Sequence, residues 1–393
     1  MTTSKKGVLD WLGRHLEGDR VVWGVMLLLS ILSILTVYSA VSSLAYRQMR
    51  GDTEHYLIKH SSLVLLSLAT AWAAHRINYR YYAGLSTVGL WMSVPLLLLA
   101  WRYGVTLNEA SRWLTIPLIN KTFQPSDLAQ LSLVAFLAHR LARHQHAIES
   151  FEKAVVPMLV WCSVISGLIA LTNLSGAVLL FLTCMVLMYI GRVRSVHLLT
   201  LLVVGGIAGL LSLSAGQRRL TAASRIRHFT QKEVPFQARQ AYMAIASGGL
   251  YGKGPGNSQQ RHFLPHSHAD FIYAILIEEY GLLGGIAVLM LYLLLFYRSV
   301  YTAQRTQNVY GALLSAGLGL LLTLQAMVNM AVAVGLGPVT GLTLPFVSMG
   351  GTSLVFTGIA LGIILSVSRH LGPAPRFTRS LPSTGRRRVL KNI

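Results

Sequence analysis

Apolar runs of about twenty residues recur along this chain from Val21 to the neighbourhood of Arg369, parted by short polar links. A helix of that length crosses a hydrocarbon core of roughly 30 Å. Inside lipid every backbone N–H and C=O must find a partner within the protein, and a helix provides one within a single segment. Whole helix-length runs therefore point to a helical bundle over a β-barrel. Only 12% of the 393 residues are charged and 53% are hydrophobic, with a mean hydropathy of +0.54, whereas a soluble domain carries about 25% charged residues. The expected fold is an all-α integral membrane protein of about ten transmembrane helices, with no soluble domain of useful size left over.

The spans fall near residues 21–45, 56–75, 80–102, 126–142, 154–172, 174–191, 196–215, 269–298, 308–333 and 351–370. Arg14 and Arg20, Arg76 and Arg80, Arg140 and Arg143, Arg192 and Arg194, Arg298 and Arg305, and the run from Arg369 to Lys391 then share one side. The positive-inside rule makes that side cytoplasmic, together with both termini. The chain divides into a cytoplasmic leader (1–20), a polytopic domain (21–370) and a basic cytoplasmic tail (371–393), with one large extracytoplasmic loop (216–268) between the seventh and eighth spans. No convincing small-residue cleavage signal follows the first run, so it is expected to be retained. The link from Thr172 to Gly176 is so short that two tilted helices or one broken helix fit equally well. Cys162 and Cys184 lie inside apolar segments and read as packing residues.

A formal net charge of +21 is compatible with nucleic acid, anionic lipid or topology, and position decides among them. The stretch from Gln217 to His268 breaks the charge rule: it holds Arg218, Arg219, Arg225, Arg227, Lys232, Arg239, Lys253 and Arg261 against a single acid, Glu233. Long loops are translocated whatever their charge, so a solvated or headgroup-facing surface is the plain reading. The sharper one is a polyanion site, since a diphosphate needs several cationic donors around it. Lys253, Arg225, Arg227 and Arg239 are the candidate cations, with Gln240 a candidate hydrogen-bond donor to sugar or phosphate. The glycines from Gly248 to Gly256 let backbone approach phosphate oxygens closely. They do not make a P-loop, and alone they read as a bendable turn.

That loop ends at Asp270, an acid where a basic segment meets fresh apolar sequence. An ionised carboxylate at a membrane boundary is costly unless it is paired or used. Capping of the next helix explains Asp270 on local grounds, and catalysis explains it on global ones. Glu278 and Glu279 lie further along the same span, where a lipid-facing surface would carry neither, and one is expected to face the bundle interior, bonding polar groups or bracing Asp270's surroundings. His262, His266 and His268 offer no helical His-x-x-x-His face and no thiolate partner, so no metal site is assigned to them. Asp127, after Pro125 and Ser126, meets the dipole at a helix start. Arg112 beside Trp113 suits either an interfacial anchor or a substrate contact. From Gly335 to Ser353, Gly and Pro break up apolar sequence, which at membrane depth survives only against protein or a wet cavity. A re-entrant hairpin lining a pocket is expected there, with Ser348 a candidate substrate contact.

Together these segments resemble the SEDS (shape, elongation, division and sporulation) family. The matching blocks are Val37-Tyr38-Ser39-Ala40, Ala110 to Leu114, Phe123 to Ala129, Ala244 to Leu250, Leu264-Pro265 with Asp270-Phe271-Ile272-Tyr273, Glu278-Glu279-Tyr280-Gly281, and Thr340 to Ser353. The resemblance runs over nearly the whole chain. It implies ten transmembrane helices and a glycosyltransferase that extends peptidoglycan from lipid II, releases undecaprenyl diphosphate and works with a class B penicillin-binding protein. It also implies other division-complex partners, a bacterial cytoplasmic membrane location at the septum, and no nucleic acid partner. The family's Leu-Pro-x-x-x-Thr-Asp-Phe motif puts its catalytic aspartate on Asp270. Ala269 departs from the usual Thr, Asn173 and Ser175 from Asp and Gly, and Gln130 from a common Lys, so no role is carried over to Asn173 or Gln130. The wording from Gln124 to Ala129 and the basic tail lean toward the division branch over the elongation branch. No cofactor is required, although Mg2+ or Mn2+ can share the diphosphate's charge. A lipid-linked sugar flippase is the rival from another class.

Overall fold

The computed structural model describes residues 16–48, 53–107, 110–116, 121–145, 155–215, 231, 234–264 and 268–371. Ten of its helices coincide with the ten expected spans: α1 Arg20–Gln48, α2 Thr53–Arg76, α3 Tyr81–Tyr103, α4 Pro125–Arg143, α5 Val156–Ala170, α6 Leu174–Ile190, α7 Ser195–Ala215, α9 Ile272–Arg305, α10 Val309–Ala333 and α11 Thr352–Arg369. Among the described residues α1, α2, α3, α9, α10 and α11 are each long and apolar enough to cross a membrane. α4 is less apolar over its length, yet Leu133, Leu137 and Leu141 on it are fully buried, which places it inside the bundle.

Local chemistry sets several boundaries. Pro125 opens α4 at the one turn where its missing N–H costs nothing. Asn173 and Asn308 cap α6 and α10 through side-chain oxygens that accept from Gly176 N (3.2 Å) and Tyr310 N (2.9 Å). The Asn173 cap, following a turn at Leu171 and Thr172, resolves the tight fifth link as two helices. On α11, Gly358 and Gly362 lie four apart, and a Cβ on either would stand 2.3 or 2.4 Å from the carbonyl oxygens of Ser67 and Ala71 on α2. Glycine there lets two helix backbones touch, the small-residue packing that membrane helices rely on.

Two elements were not anticipated. A three-stranded antiparallel sheet, β1 Val105–Leu107, β2 Ala110–Ile116 and β3 Lys121–Phe123, joins α3 to α4, with Val105 opposite Trp113 and Leu114 opposite Phe123. A further helix, α8 Phe236–Gly248, lies within the expected loop and packs on α9. The expected eighth span is also longer, and it is broken where Gly281 takes φ 71 and ψ −177.

The arginine-rich helix ends meet at one end of the bundle. Tyr79 packs on Tyr310 and His370, and His139 packs on Tyr310. Arg298 pairs with buried Asp19 at 2.6 Å, and Arg369 pairs with Glu17. Asp270 O is bound by Asn329 of α10, nineteen residues beyond Tyr310 and so roughly 30 Å along that helix at 1.5 Å per residue, which puts the acid toward the opposite end of the bundle.

Candidate active site

Asp270 stands on a turn, His268 to Phe271, that leads into α9. The turn is held from below by the segment from Val334 to Gly351. Met349 N donates to His268 O (3.0 Å), Ser348 Oγ donates to Ala269 O (2.6 Å), and Asn329 Nδ2 of α10 donates to Asp270 O (2.9 Å).

That supporting segment lacks regular secondary structure, and its carbonyls are satisfied by side chains of surrounding helices. Leu342 O accepts from Asn329 Nδ2 (2.6 Å), Thr343 O from Gln325 Nε2 (3.0 Å), Pro345 O from the Tyr292 hydroxyl, and Val347 O from Ser33 Oγ (2.8 Å). Ser33 lies thirteen residues along α1, about 20 Å from Arg20, a depth that falls within a hydrocarbon core some 30 Å thick. Irregular backbone at that depth requires such partners. The expected re-entrant hairpin thus takes the form of a loop pinned by α1, α9 and α10.

Above this support lies a polar cleft enclosing ≈ 720 Å³, open solvent included. Asp270 and Asp127 both line it, with Gln124, Gln130, Asn173, Gln325 and Trp113. Gln124 Nε2 donates to Asp127 Oδ1 (2.8 Å) and Ser126 Oγ (2.9 Å), and Gln124 N donates to Thr352 Oγ1 (3.2 Å), tying the start of α4 to the start of α11. The cleft offers two carboxylates, amide donors and acceptors and one indole, a set suited to orienting a polar, ring-shaped substrate.

Of the residues singled out from sequence, Asp270 and Asp127 come together. Gln130 and Asn173, given no role, line the cleft as well. Gln325 was missed, although an amide in an apolar helix is itself a signal. Ser348, expected to touch substrate, is 2% exposed, and its hydroxyl is engaged with Ala269 O and Leu344 N (2.8 Å). It supports the turn. Arg112 falls in β2, next to Trp113. Arg239 is exposed on α8 and Gln240 is buried there, neither among the residues lining the cleft. Arg225 and Arg227 lie outside the described residues.

Lys253 and the two glutamates form a separate structure. In an unbroken helix the carbonyls of Glu278 and Glu279 would accept from Leu282 and Leu283. The break at Gly281 redirects all four groups to the glycine-rich loop: Lys253 N donates to Glu278 O (2.9 Å), Gly254 N to Glu279 O (2.9 Å), Leu282 N to Gly249 O (2.9 Å) and Leu283 N to Leu250 O (3.3 Å). A Cβ at Gly252 or Gly281 would stand 2.2 Å from a carbonyl oxygen of the other strand, so the glycines serve this close backbone approach. The buried Glu278 carboxylate accepts from Lys253 Nζ (2.8 Å), Ser258 Oγ (2.5 Å), Ser247 Oγ (3.3 Å) and the N–H groups of Gln259 (3.1 Å) and Gln260 (3.2 Å). Glu279 accepts from Ser39, whose Oγ also accepts from Arg261 Nη1 at 3.0 Å. Of the two roles expected for them, Glu278 and Glu279 take that of bonding buried polar groups, which fastens the loop to the helix, and Lys253 is the partner of Glu278.

Asn329→Leu tests the support of the turn. It removes two donors and orphans two carbonyls, at about 1–3 kcal/mol each. Thermal unfolding in detergent should show a clear loss, and turnover should fall further than the folded fraction does.

A helical bundle with arginine-rich helix ends gathered at one end and an acid-bearing polar cleft toward the other defines a multi-pass membrane protein with a candidate active site in that cleft. The sequence model of the FtsW, RodA and SpoVE family, described as "Cell cycle protein", matches residues 19–372, and the chain belongs to that family. It is 34% identical over 383 residues to the probable peptidoglycan glycosyltransferase FtsW of Coxiella burnetii, covering 93% of this chain and 98% of that one. It is 31% identical to the stage V sporulation protein E of Bacillus subtilis, covering 88% and 95%. Its fold is similar to the crystal structure of the rod shape determining protein RodA of Thermus thermophilus, with a TM-score of 0.63, 27% identity and coverage of 92% and 98%. A chain in a peptidoglycan synthase complex, described as coordinating polymerization and crosslinking, matches with a TM-score of 0.69, 25% identity and coverage of 90% and 98%.

Proposed function

We propose that this chain is the division-branch peptidoglycan polymerase of its organism, transferring glycan from a lipid II donor to the 4-hydroxyl of an acceptor sugar with loss of undecaprenyl diphosphate. The observation that carries this reading is Asp270, a carboxylate at the mouth of a polar cleft on a turn held by three hydrogen bonds. Asp270 takes the hydroxyl proton as the oxygen attacks the anomeric carbon, and the diphosphate departs with its electron pair. One base and one attacking hydroxyl suit a single displacement with inversion. The positive-inside rule assigns the Arg-rich end, with both termini, to the cytoplasm and the cleft to the outer face, where lipid II arrives.

Asp127 lines the same cleft, where it can accept a hydrogen bond from a sugar hydroxyl or coordinate a bound cation. Two carboxylates are hard oxygen donors for Mg2+ or Mn2+. Among the described residues no cluster of three His, Cys, Asp or Glu stands together, so such an ion would draw its other ligands from diphosphate and water. The proton transfer to Asp270 does not pass through it. Arg225, Arg227 and Arg239 remain the proposed diphosphate cations. The likeness to a subunit of a synthase complex supports a class B penicillin-binding protein as partner.

Purified protein, with and without that partner, given labelled lipid II should yield glycan chains. Lipid II moved between leaflets without polymer would mark a carrier instead. Depletion in cells should give filaments; rounded cells would place the chain in the elongation branch.

A further inference from the structure

We infer that His60, on α2, is a positioning residue for Asp270, acting through Ser33 and the pinned loop. His60 is fully buried in an apolar helix, where a polar ring is costly without a use. Its Nε2 lies 2.8 Å from Ser33 Oγ, and Ser33 Oγ lies 2.8 Å from Val347 O. A carbonyl can only accept, so the single Ser33 hydrogen points to Val347, and Ser33 oxygen accepts from His60 Nε2–H. That fixes the imidazole in its Nε2–H form.

The neighbours of Ser33 on α1 show what this arrangement overrides. Ser30 Oγ donates to Met26 O (2.8 Å) and Thr36 Oγ1 to Leu32 O (2.6 Å), the back-bond to the fourth preceding carbonyl that hydroxyls in apolar helices adopt by default. Ser33 differs by having an imidazole donor beside it. The donor holds the hydroxyl rotor away from its own helix and on Val347, one residue before Ser348 and two before Met349. Those two residues hold Ala269 O and His268 O. The chain His60, Ser33, Val347, Ser348, Ala269 thus ends one residue from the carboxylate. The other carbonyls of the loop are bound by Asn329, Gln325 and Tyr292, whose donors need no second residue to aim them.

This assignment rests on Asp270 being the base of a polymerase, so wild-type protein must first polymerise lipid II; if it does not, that reading fails and this one is judged on hydrogen exchange alone. His60→Phe keeps bulk and removes the donor. It should lower kcat roughly 10- to 100-fold, the scale of a misplaced catalytic group, with KM for lipid II unchanged. Ser33→Ala should do the same, and the double variant should be no worse than either single one, since both break one link. His60→Gln, which can present an N–H near the Nε2 position, should recover most of the loss. Hydrogen exchange should quicken at Val347 to Met349 and at Ala269 to Asp270 in His60→Phe. Unchanged kcat with unchanged exchange, additive single losses, or no recovery by Gln would each overturn the assignment.

Discussion

Asp270→Asn should cut lipid II polymerisation by roughly 10²- to 10⁴-fold, the range associated with a general base, while the protein still folds and inserts. The side chains that hold this turn reach the carbonyls of Ala269 and Asp270 rather than the carboxylate, so those bonds survive the change. The amide keeps the shape and loses the proton affinity. The loss should therefore fall on kcat, and Asp270→Ala should match Asn to within a few-fold. Product formation from labelled lipid II, measured beside thermal unfolding of the same preparations, checks this. A folded Asp270→Asn protein with full activity would remove the carboxylate from the chemistry and return it to helix capping.

The membrane spans were legible because lipid imposes a length and a hydropathy that a sequence displays directly, whereas the link from Thr172 to Gly176 stayed open between two readings until the Asn173 cap decided it. The place of Asp270 in the cleft was legible because an acid at a basic-to-apolar junction has few cheap explanations. The sheet between α3 and α4 was not, since strands of three and seven residues give too short a pattern to stand out. The partners of the pinned loop were also hidden. Asn329, Gln325, Tyr292 and Ser33 come from three helices, and their convergence on four carbonyls is a fact of packing. Lys253 illustrates the same limit more sharply. A cation in a basic loop reads as a phosphate ligand, whereas in the fold it lies against an acid 25 residues later because a broken helix needs new backbone partners.

Lys253→Met should destabilise the protein by roughly 2–4 kcal/mol, and Glu278→Gln added to it should restore much of that loss. Removing one partner of a buried ion pair leaves an uncompensated charge, at a cost near 3–5 kcal/mol when burial is complete. Here the Lys253 side chain is 26% exposed against 0% for Glu278, and hydroxyl and backbone donors remain on the carboxylate, so the effect lies lower. The double variant removes the buried charge, and its amide oxygen still accepts from one of the two backbone N–H groups while the amide nitrogen faces the other, so recovery is large but incomplete. The two roles of Lys253 then separate cleanly. If Lys253 serves Glu278, the double variant regains both stability and turnover, because the loop stays bonded to α9 through Lys253 N and Gly254 N, which the substitutions leave in place. If Lys253 instead steadies the departing diphosphate, the double variant recovers its unfolding temperature and remains slow. The second outcome would move the loop back toward the cleft during turnover, and the geometry argues for the first.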